Sequence, residues 1–446
     1  MSLLPEALAD TRARTAPFPA LGAIPCPVRN IARLRARKTA AMSGARNTFT
    51  YLALSVCGSI AFQIQSVAIA WHVFTLAHRP LDLGFVGLAL FLPSFVFALP
   101  AGVCADRHDR RRVVTASAST EAAGTLALAG LVVAHVSTVW LYLVILFAIG
   151  TARAFEAPAE RSILPSIVAP EAYVRTQAAF SSIRQVIKIA GPALGGLLVA
   201  FSTVFALGTA AALLFTYALC YGTLTIAPVV RSGASSTWHD AFQGLRFVRS
   251  RPIIAGALSL DLFAVLFGGA TALLPAFADG TFHVGPTGLG ALRAAPAVGA
   301  ALVAISLARR PLERRVGAVL LASVAGFGLA TIAFGLSHDF LLSLVLLAIV
   351  GGTDMISVVV RSGLVQLATP DAMRGRVNSV ENVFIGASNE LGEFESGTLA
   401  ALVGVVPCVV IGGVGTVAVI ALWSALFPAL RNANRFDDVT QAPEAR

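Results

Sequence analysis

The sequence contains little charge: only 13% of its 446 residues are Asp, Glu, Lys or Arg, whereas 57% are hydrophobic. A soluble protein carries about 25% charged residues. The polar surface is therefore too small to cover a globule in water, and lipid must solvate much of the chain. The alternating apolar and polar pattern of a transmembrane barrel is also absent, so the spans are predicted to be helical.

Motifs for chemistry are scarce as well. The phosphate-binding GxxxxGK[ST] pattern and the catalytic GxSxG and HExxH patterns are missing, so the sequence predicts neither ATP-driven transport nor an enzyme. The five cysteines lack CxxC or Cys/His spacing, which predicts no disulfide framework, no metal site and no cofactor. Arginine nearly replaces lysine, a bias that favours a GC-rich bacterial genome.

What the chain does contain is a series of twelve apolar segments, each near or above the ~20 residues that a helical span requires. They predict an all-α membrane protein with twelve transmembrane helices. The segments lie at 48–77, 82–105, 112–134, 138–162, 173–201, 203–227, 252–278, 286–308, 316–337, 340–364, 376–403 and 406–428.

The distribution of arginine predicts the orientation of these spans. The net charge is +10, but the arginines lie in short links and tails rather than on one amphipathic face, so nucleic acid is not the expected partner. The links after helices 2, 4, 8 and 10 are arginine-rich, whereas those after helices 3, 5, 9 and 11 carry essentially none. By the positive-inside rule both termini are predicted to be cytoplasmic, in a bacterial cytoplasmic membrane.

The composition divides the chain into five parts. Residues 1–46 are rich in Pro, Ala and Arg and predict a disordered basic tail. Two six-helix bundles are expected at 47–227 and 252–429, joined by a cytoplasmic linker at 228–251 and followed by a cytoplasmic tail at 430–446. The linker sequence TWHDAFQGLRFVRS is compatible with a short amphipathic helix at the membrane surface.

The two halves of the chain are related to each other. The segment RSILPSIVAPEA at 161–172 returns as RSGLVQLATPDA at 361–372, displaced by 200 residues. Arg-Ser followed at equal spacing by Pro, an acidic residue and Ala is difficult to attribute to chance. Duplicated halves are typical of transporters, which hold their substrate near the interface between the repeats.

Three motifs make the sequence resemble the major facilitator superfamily. The link GVCADRHDRRRV resembles the loop 2–3 signature of that superfamily, AIGTARAFEAP its helix 4 motif, and AGPALGGLL a helix 5 element of proton-coupled exporters. Residues 373–397, MRGRVNSVENVFIGASNELGEFESG, resemble the enterobactin exporter and multidrug:proton antiporter branch. The resemblance implies two six-helix pseudo-repeat bundles, and it assigns motif roles to Gly102, Asp106, Arg107, Arg110, Arg111, Arg112, Arg153, Gly191, Pro192, Gly195 and Gly196.

The sequence departs from that pattern in two places. Exporters of the main drug/proton branches often carry an acid in helix 1, but 48–77 has none, and its notable residues are Gln63, Gln65 and Trp71. In the second half Arg309 stands at the position equivalent to Asp106. The loop 2–3 charges are therefore open to two interpretations, a simple positive-inside anchor or a conformational lock that depends on Asp106. The lock is favoured because anchoring requires only arginines.

Charges inside helices 4 and 5 are expensive in lipid and must be paired, face water or have a function. Arg153, Glu156 and Glu160 suit either a salt-bridge network or a gate. Arg184 and Lys188 lie four residues apart on one face of helix 5. They are predicted either to attract an anionic substrate or to pair with buried glutamates.

Acidic residues in the second half are candidates for proton coupling, because burial of a carboxylate favours its protonated form. Asp261 and Asp354 are single acids in apolar helices 7 and 10. Helix 11 is unusually polar, and Glu390 is the first choice for coupling within it. The polar residues of this helix are Glu381, Asn389, Glu390, Glu393 and Glu395.

Taken together, the sequence predicts a proton-coupled exporter of small amphipathic compounds, such as drug-like molecules, siderophores or metabolites, that works by alternating access. An uptake permease or lysolipid transporter of the same fold is an alternative, and a non-transporting membrane sensor or scaffold is another. The expected partners are a small-molecule substrate, protons and the lipid bilayer, and the chain is expected to function as a monomer.

Overall fold

The computed structural model describes residues 27–168, 170–223, 238–371 and 373–436, and within these ranges the regular structure is entirely helical. The chain divides into the units Met1–Arg46 and Asn47–Arg446, and the second unit carries the membrane spans. Helix α1 (Pro27–Ala77) begins inside the segment that the sequence predicts to be a disordered tail. Residues 1–26, the linker stretch 224–237 and the tail at 437–446 lie outside the described ranges.

The helices follow the order of the predicted spans. After α1, the first half contains α2 (Pro80–Val96), α3 (Ala98–Arg107), α4 (Arg110–Val133), α5 (Val139–Arg161), α6 (Leu164–Ile167), α7 (Pro170–Phe201) and α8 (Thr203–Tyr221). The second half contains α9 (Trp238–Ser250), α10 (Pro252–Phe267), α11 (Leu274–Ala276), α12 (Gly285–Arg309), α13 (Val316–Leu336), α14 (Phe340–Ala368), α15 (Arg374–Val403), α16 (Val405–Leu426) and α17 (Pro428–Arg431). Helix α9 occupies the place of the amphipathic helix predicted in the linker.

Ten helical segments in the described ranges are long and apolar enough to cross a membrane. Two further spans complete the predicted twelve. Helix α2 is short and continues after one non-helical residue as α3, whereas α15 has 30 residues but is too polar to stand out by hydropathy. The break falls at Phe97, because Pro100 has no N–H to donate to the carbonyl four residues earlier.

Each half packs as a bundle, and the two bundles meet along two pairs of helices. In the N bundle α4 packs against α5 and α8, and α2 packs against α5. In the C bundle α13 packs against α14 and α16, and α12 packs against α14. Helix α7 contacts α12, and α2 contacts α15, across the interface.

The interface is closed at the end of the molecule where α1 meets α2, here called the Ala77 end. A Cβ atom on Gly397 would lie 2.8 Å from the Cα of Gly84, so α2 and α15 touch through their backbones. Val67 of α1 is buried in an apolar cluster together with Leu273 and Leu289 of the C bundle. The opposite end, where α3 meets α4, is called the Arg107 end.

Candidate substrate-binding site

A polar cavity of about 280 Å³ lies in the N bundle, between α1, α4, α5, α7 and α8. Its position along these helices places it in the half nearer the Arg107 end, and we call it the N cavity. Its polar and charged lining residues are Ser55, Ser59, Gln63, Glu121, Arg153, Glu156, Glu160, Arg184, Lys188 and Tyr217.

A second cavity, of about 220 Å³, lies in the C bundle and is called the C cavity. It is formed by α10, α12, α13, α14 and α15, together with the irregular turn that follows α10. Its polar and charged lining residues are Asp261, Thr271, Thr331, Asp354, Arg361, Ser388, Asn389 and Glu393.

Arg153 is held by a buried acid from a neighbouring helix. Its Nε donates to Oε2 of Glu121 at 3.0 Å, and the Glu121 side chain is only 3% exposed. The guanidinium lies 3.9 Å from the ring centroid of Phe62, and Nη2 donates to Oε1 of Gln65 at 3.5 Å. The salt bridge thus joins α5 to α4, whereas the sequence suggested pairing along α5 with Glu156.

Two more glutamates lie beside this pair. Ser55 donates to Oε1 of Glu160 at 2.7 Å. Glu156 lies close to Glu121 and Glu160, and its buried Oε2 accepts no hydrogen bond from the described part of the chain. Three carboxylates from α4 and α5 therefore share one small volume with a single paired arginine.

Arg184 and Lys188 form the cationic wall of the N cavity. Both side chains are exposed, and they lie one helical turn apart on α7. The Arg184 guanidinium lies 5.5 Å from the ring centroid of Phe180. Lys188 is near enough to Asp354 of α14 for electrostatic interaction across the bundle interface. Neither cation forms an ion pair within 4 Å with an acid whose side chain is described.

Asp261, the acid in the seventh predicted span, lies on α10 and has a charged partner. Arg361, only 3% exposed, forms an ion pair with Asp261, and its Nε lies 3.7 Å from Oε1 of Glu381. The three residues connect α10, α14 and α15. The interpretation of Asp261 as a single acid is therefore wrong, because a buried arginine from the neighbouring helix neutralises its charge.

The remaining acids differ in their surroundings. Asp354 lines the C cavity, within electrostatic range of Lys188. Glu393 lies near Arg293 of α12, whose Nη1 donates to Oγ of Ser66 at 2.8 Å in the other bundle. Asn389 donates to the Ile385 carbonyl of its own helix, at 2.9 Å. Glu390 lies on α15, and its side chain is outside the description.

The loop 2–3 motif connects the ends of α3, α4 and α5. Arg110 donates to the Ser162 carbonyl at 2.8 Å, just beyond α5. Asp109 caps α4 by accepting from the Arg111 N–H at 3.0 Å, and its carboxylate also lies 3.9 Å from Nε of Arg112. Arg107 is exposed, and no atom of the described residues lies within 4 Å of the place where a Cβ on Gly102 would stand. Asp106 is on α3, and its side chain is outside the description.

The motif AGPALGGLL of the fifth predicted span lies on α7 and allows this helix to approach two other helices closely. A Cβ on Gly191 would lie 2.7 Å from Cβ of Gln63, and one on Gly195 would lie 3.2 Å from the α1 backbone. A Cβ on Gly196 would lie 2.4 Å from the Pro286 carbonyl oxygen of α12. The carbonyl of Pro192 lies on this second face, against α12. The motif therefore packs α7 both within its bundle and across the interface.

A profile of the transmembrane secretion effector family, part of the major facilitator superfamily, matches residues 42–444. The chain belongs to this family. The matched region contains all twelve spans, so the resemblance to the superfamily that the loop 2–3, helix 4 and helix 5 motifs indicated is confirmed.

Named relatives and solved structures agree with that family. The enterobactin exporter EntS of Citrobacter koseri is 27% identical over 374 residues, which cover 83% of this chain and 89% of that protein. A mutant of the nucleoside transporter NupG superposes with a TM-score of 0.70 at 15% identity, over 85% of this chain and all of that one. A bacterial homologue of the human lysosomal transporter Spinster, inward-facing and unoccupied, superposes with a TM-score of 0.69 at 14% identity. The superposition covers 89% of this chain and 99% of that one. The predicted fold of two six-helix bundles is confirmed.

Three charged residues of the site escaped the sequence reasoning. Glu121 is the only acid between Val113 and Val133, and Arg293 is the only charge in the interior of α12. The sequence singles out Arg361 only as part of the internal repeat. The cost of burying a charge in lipid, the argument that selected Arg184, applies equally to all three.

Proposed function

We propose that the chain is a proton-driven exporter of small amphipathic compounds that works by alternating access. The observation that carries this proposal is the presence of two charged cavities beside the interface of two bundles, in a protein otherwise solvated by lipid. Ionisable groups in such surroundings are retained along substrate and proton pathways. The relative named as an enterobactin exporter supports efflux, and we include siderophores among the candidate substrates for this reason.

The arrangement fits the inward-facing state of such a cycle. The bundles are sealed at the Ala77 end by backbone contacts between Gly84 and Gly397, whereas the N cavity lies nearer the Arg107 end. We assign the Arg107 end to the cytoplasm because the arginine-rich links lie there. Both termini are then cytoplasmic, and a monomer in the bacterial cytoplasmic membrane contains the complete pathway.

We assign proton coupling to the acids that are not neutralised by a neighbouring cation. Asp354 and Glu156 meet this condition, since neither has an ion pair within 4 Å among the described side chains. Glu390 and Glu393 of α15 remain candidates, while the Arg361 ion pair makes Asp261 a weaker one. Asp106 and the arginines that follow it are assigned to a conformational lock at the cytoplasmic end.

The test is reconstitution in liposomes with an imposed pH gradient. Labelled substrates, including an iron-free siderophore, should accumulate only when the gradient is present, and a pH-sensitive dye should report the opposing proton flux. Asp354→Asn and Glu156→Gln should separate substrate movement from proton movement, whereas Asp109→Asn, which retains the helix cap, should not. Substrate movement unaffected by the gradient, in either direction, would contradict proton-coupled export.

A further inference from the structure

The two cations of α7 are available to a ligand. Arg184 and Lys188 both line the N cavity, and both have exposed side chains. Of the described acids around them, Glu121 pairs with Arg153, and Glu160 accepts a hydrogen bond from Ser55. Among the described side chains, none completes an ion pair with Arg184 or Lys188 within 4 Å. The remaining acids nearby are Glu156, which faces other carboxylates, and Asp354 across the cleft.

Two cations one turn apart on a membrane helix cost free energy unless a negative charge compensates them. Two like charges one turn apart repel each other, and their placement in the middle of a membrane helix adds a desolvation cost. The closest approach of α7 to α1 and α12 is made further along the helix, at Gly191, Gly195 and Gly196, so this packing does not require the two cations. Charge-assisted hydrogen bonds to a bound anion would offset both costs.

We propose that Arg184 and Lys188 bind an anionic group of the transported compound, a carboxylate, sulfonate or phosphate. This inference rests on the proposed transport function and specifies the chemistry of its substrate. The planar Arg184 fork suits a two-oxygen anion, and Lys188 adds a second positive charge one turn away. The ring of Phe62 and the side chain of Ile187, also in the cavity wall, supply an apolar surface for the remainder of the molecule.

Asp354 gives the site a means of release. It lies within electrostatic range of Lys188 from the other bundle, so its negative charge and the substrate anion act on the same ammonium group. Neutralising Asp354 removes this competitor and strengthens anion binding. Because Asp354 and Lys188 belong to different bundles, movement of the bundles changes the competition during the cycle.

The experiment uses two probes of nearly equal shape, 1-naphthoate and its uncharged amide 1-naphthamide. The thermal unfolding midpoint of the purified full chain in neutral detergent is measured against the concentration of each probe. Naphthoate should raise the midpoint, and naphthamide at the same concentrations should not. Arg184→Gln and Lys188→Gln should each weaken the naphthoate response about tenfold, the loss expected for one charged hydrogen bond.

Matched variants distinguish binding from folding. Arg184→Lys retains the charge and should keep the response within about threefold, and Arg309→Gln removes an exposed arginine at the end of α12 and should leave it unchanged. Asp354→Asn should strengthen it. Equal responses to both probes, no response to naphthoate, or equal responses of Arg184→Gln and Arg309→Gln would overturn the proposal. Because this readout needs neither a membrane nor a pH gradient, its failure is separate from a failure of proton-coupled flux.

Discussion

Arg153 and Glu121 show how a charged pair is maintained inside a membrane bundle. The pair is joined at 3.0 Å, with Glu121 almost completely buried, and Gln65 and Phe62 contact the same guanidinium. We expect Glu121→Gln to lower the free energy of unfolding by about 1.5–3 kcal/mol, because the Arg153 guanidinium loses its charged hydrogen bond to the buried carboxylate. Denaturation in detergent measures the loss.

The same prediction has an internal control. If the pair is the source of the stability, the double variant Glu121→Gln with Arg153→Gln should lose less than the sum of the two single variants. Additive losses would mean that each side chain contributes through other contacts.

Asp106 is the residue on which the proposed lock depends. Replacing it with Asn removes the charge but preserves the shape of the side chain. We expect normal expression and membrane insertion, and a flux at least about tenfold lower, because an acid of a lock contributes a charged hydrogen bond in one state. Transport in proteoliposomes, normalised to inserted protein, measures the effect.

Asp109 is the matched control, since it is three residues away and of the same type. Its carboxylate caps α4, a role that Asn also performs. Flux of Asp109→Asn should remain close to that of the unaltered protein. If both variants lose transport equally, the charge of the whole loop matters rather than the acid at 106.

At the scale of helices, the contact between α7 and α12 is set by a glycine. A Cβ at Gly196 would lie 2.4 Å from a backbone carbonyl of α12, and backbone cannot move aside as a side chain can. Gly196→Ala should therefore force α7 and α12 apart at the Ala77 end. An overpacking cost of about 1–3 kcal/mol against the closed state corresponds to a transport loss of roughly fivefold to a hundredfold.

Gly208 of α8 provides the comparison for that experiment. In the described part of the chain, no atom lies within 4 Å of the position where its Cβ would stand. Gly208→Ala should leave transport unchanged and add helix propensity. Equal transport by the two alanine variants would contradict the role assigned to the α7–α12 contact.

The helices could be predicted because lipid imposes a minimum apolar length on every span. The interruption at Phe97 could not be located within 82–105, since two prolines lie nearby and packing decides which one ends the helix. The ion pairs could not be predicted from the sequence either. Asp261 and Arg361 are 100 residues apart, and only the packing of α10 against α14 brings them together. The charged residues of the site were thus partly predictable, but their partners were not.

At the scale of the whole molecule, the orientation assigned from arginine can be tested by labelling. In a cysteine-free background, His338→Cys lies in the exposed turn between α13 and α14, at the Ala77 end, and Glu313→Cys lies in the exposed link after α12. A membrane-impermeant maleimide added to intact cells should label position 338 strongly and position 313 only after permeabilisation. The reverse pattern would place the Arg107 end outside.

The polarity of α15 has a consequence for how the protein is made. Each acid near the centre of this helix costs about 2.5–3.5 kcal/mol during insertion into lipid. Helix α15 packs against α2 and α10, and both precede it in the chain, as does the Arg361 that pairs with Glu381. When α15 leaves the ribosome, α2 and α10 are already in the membrane. Because the chain is inserted from its N-terminus, the polar surface against which α15 packs is present before α15 enters the membrane. A chain whose earlier helices are misassembled should therefore fail to insert α15.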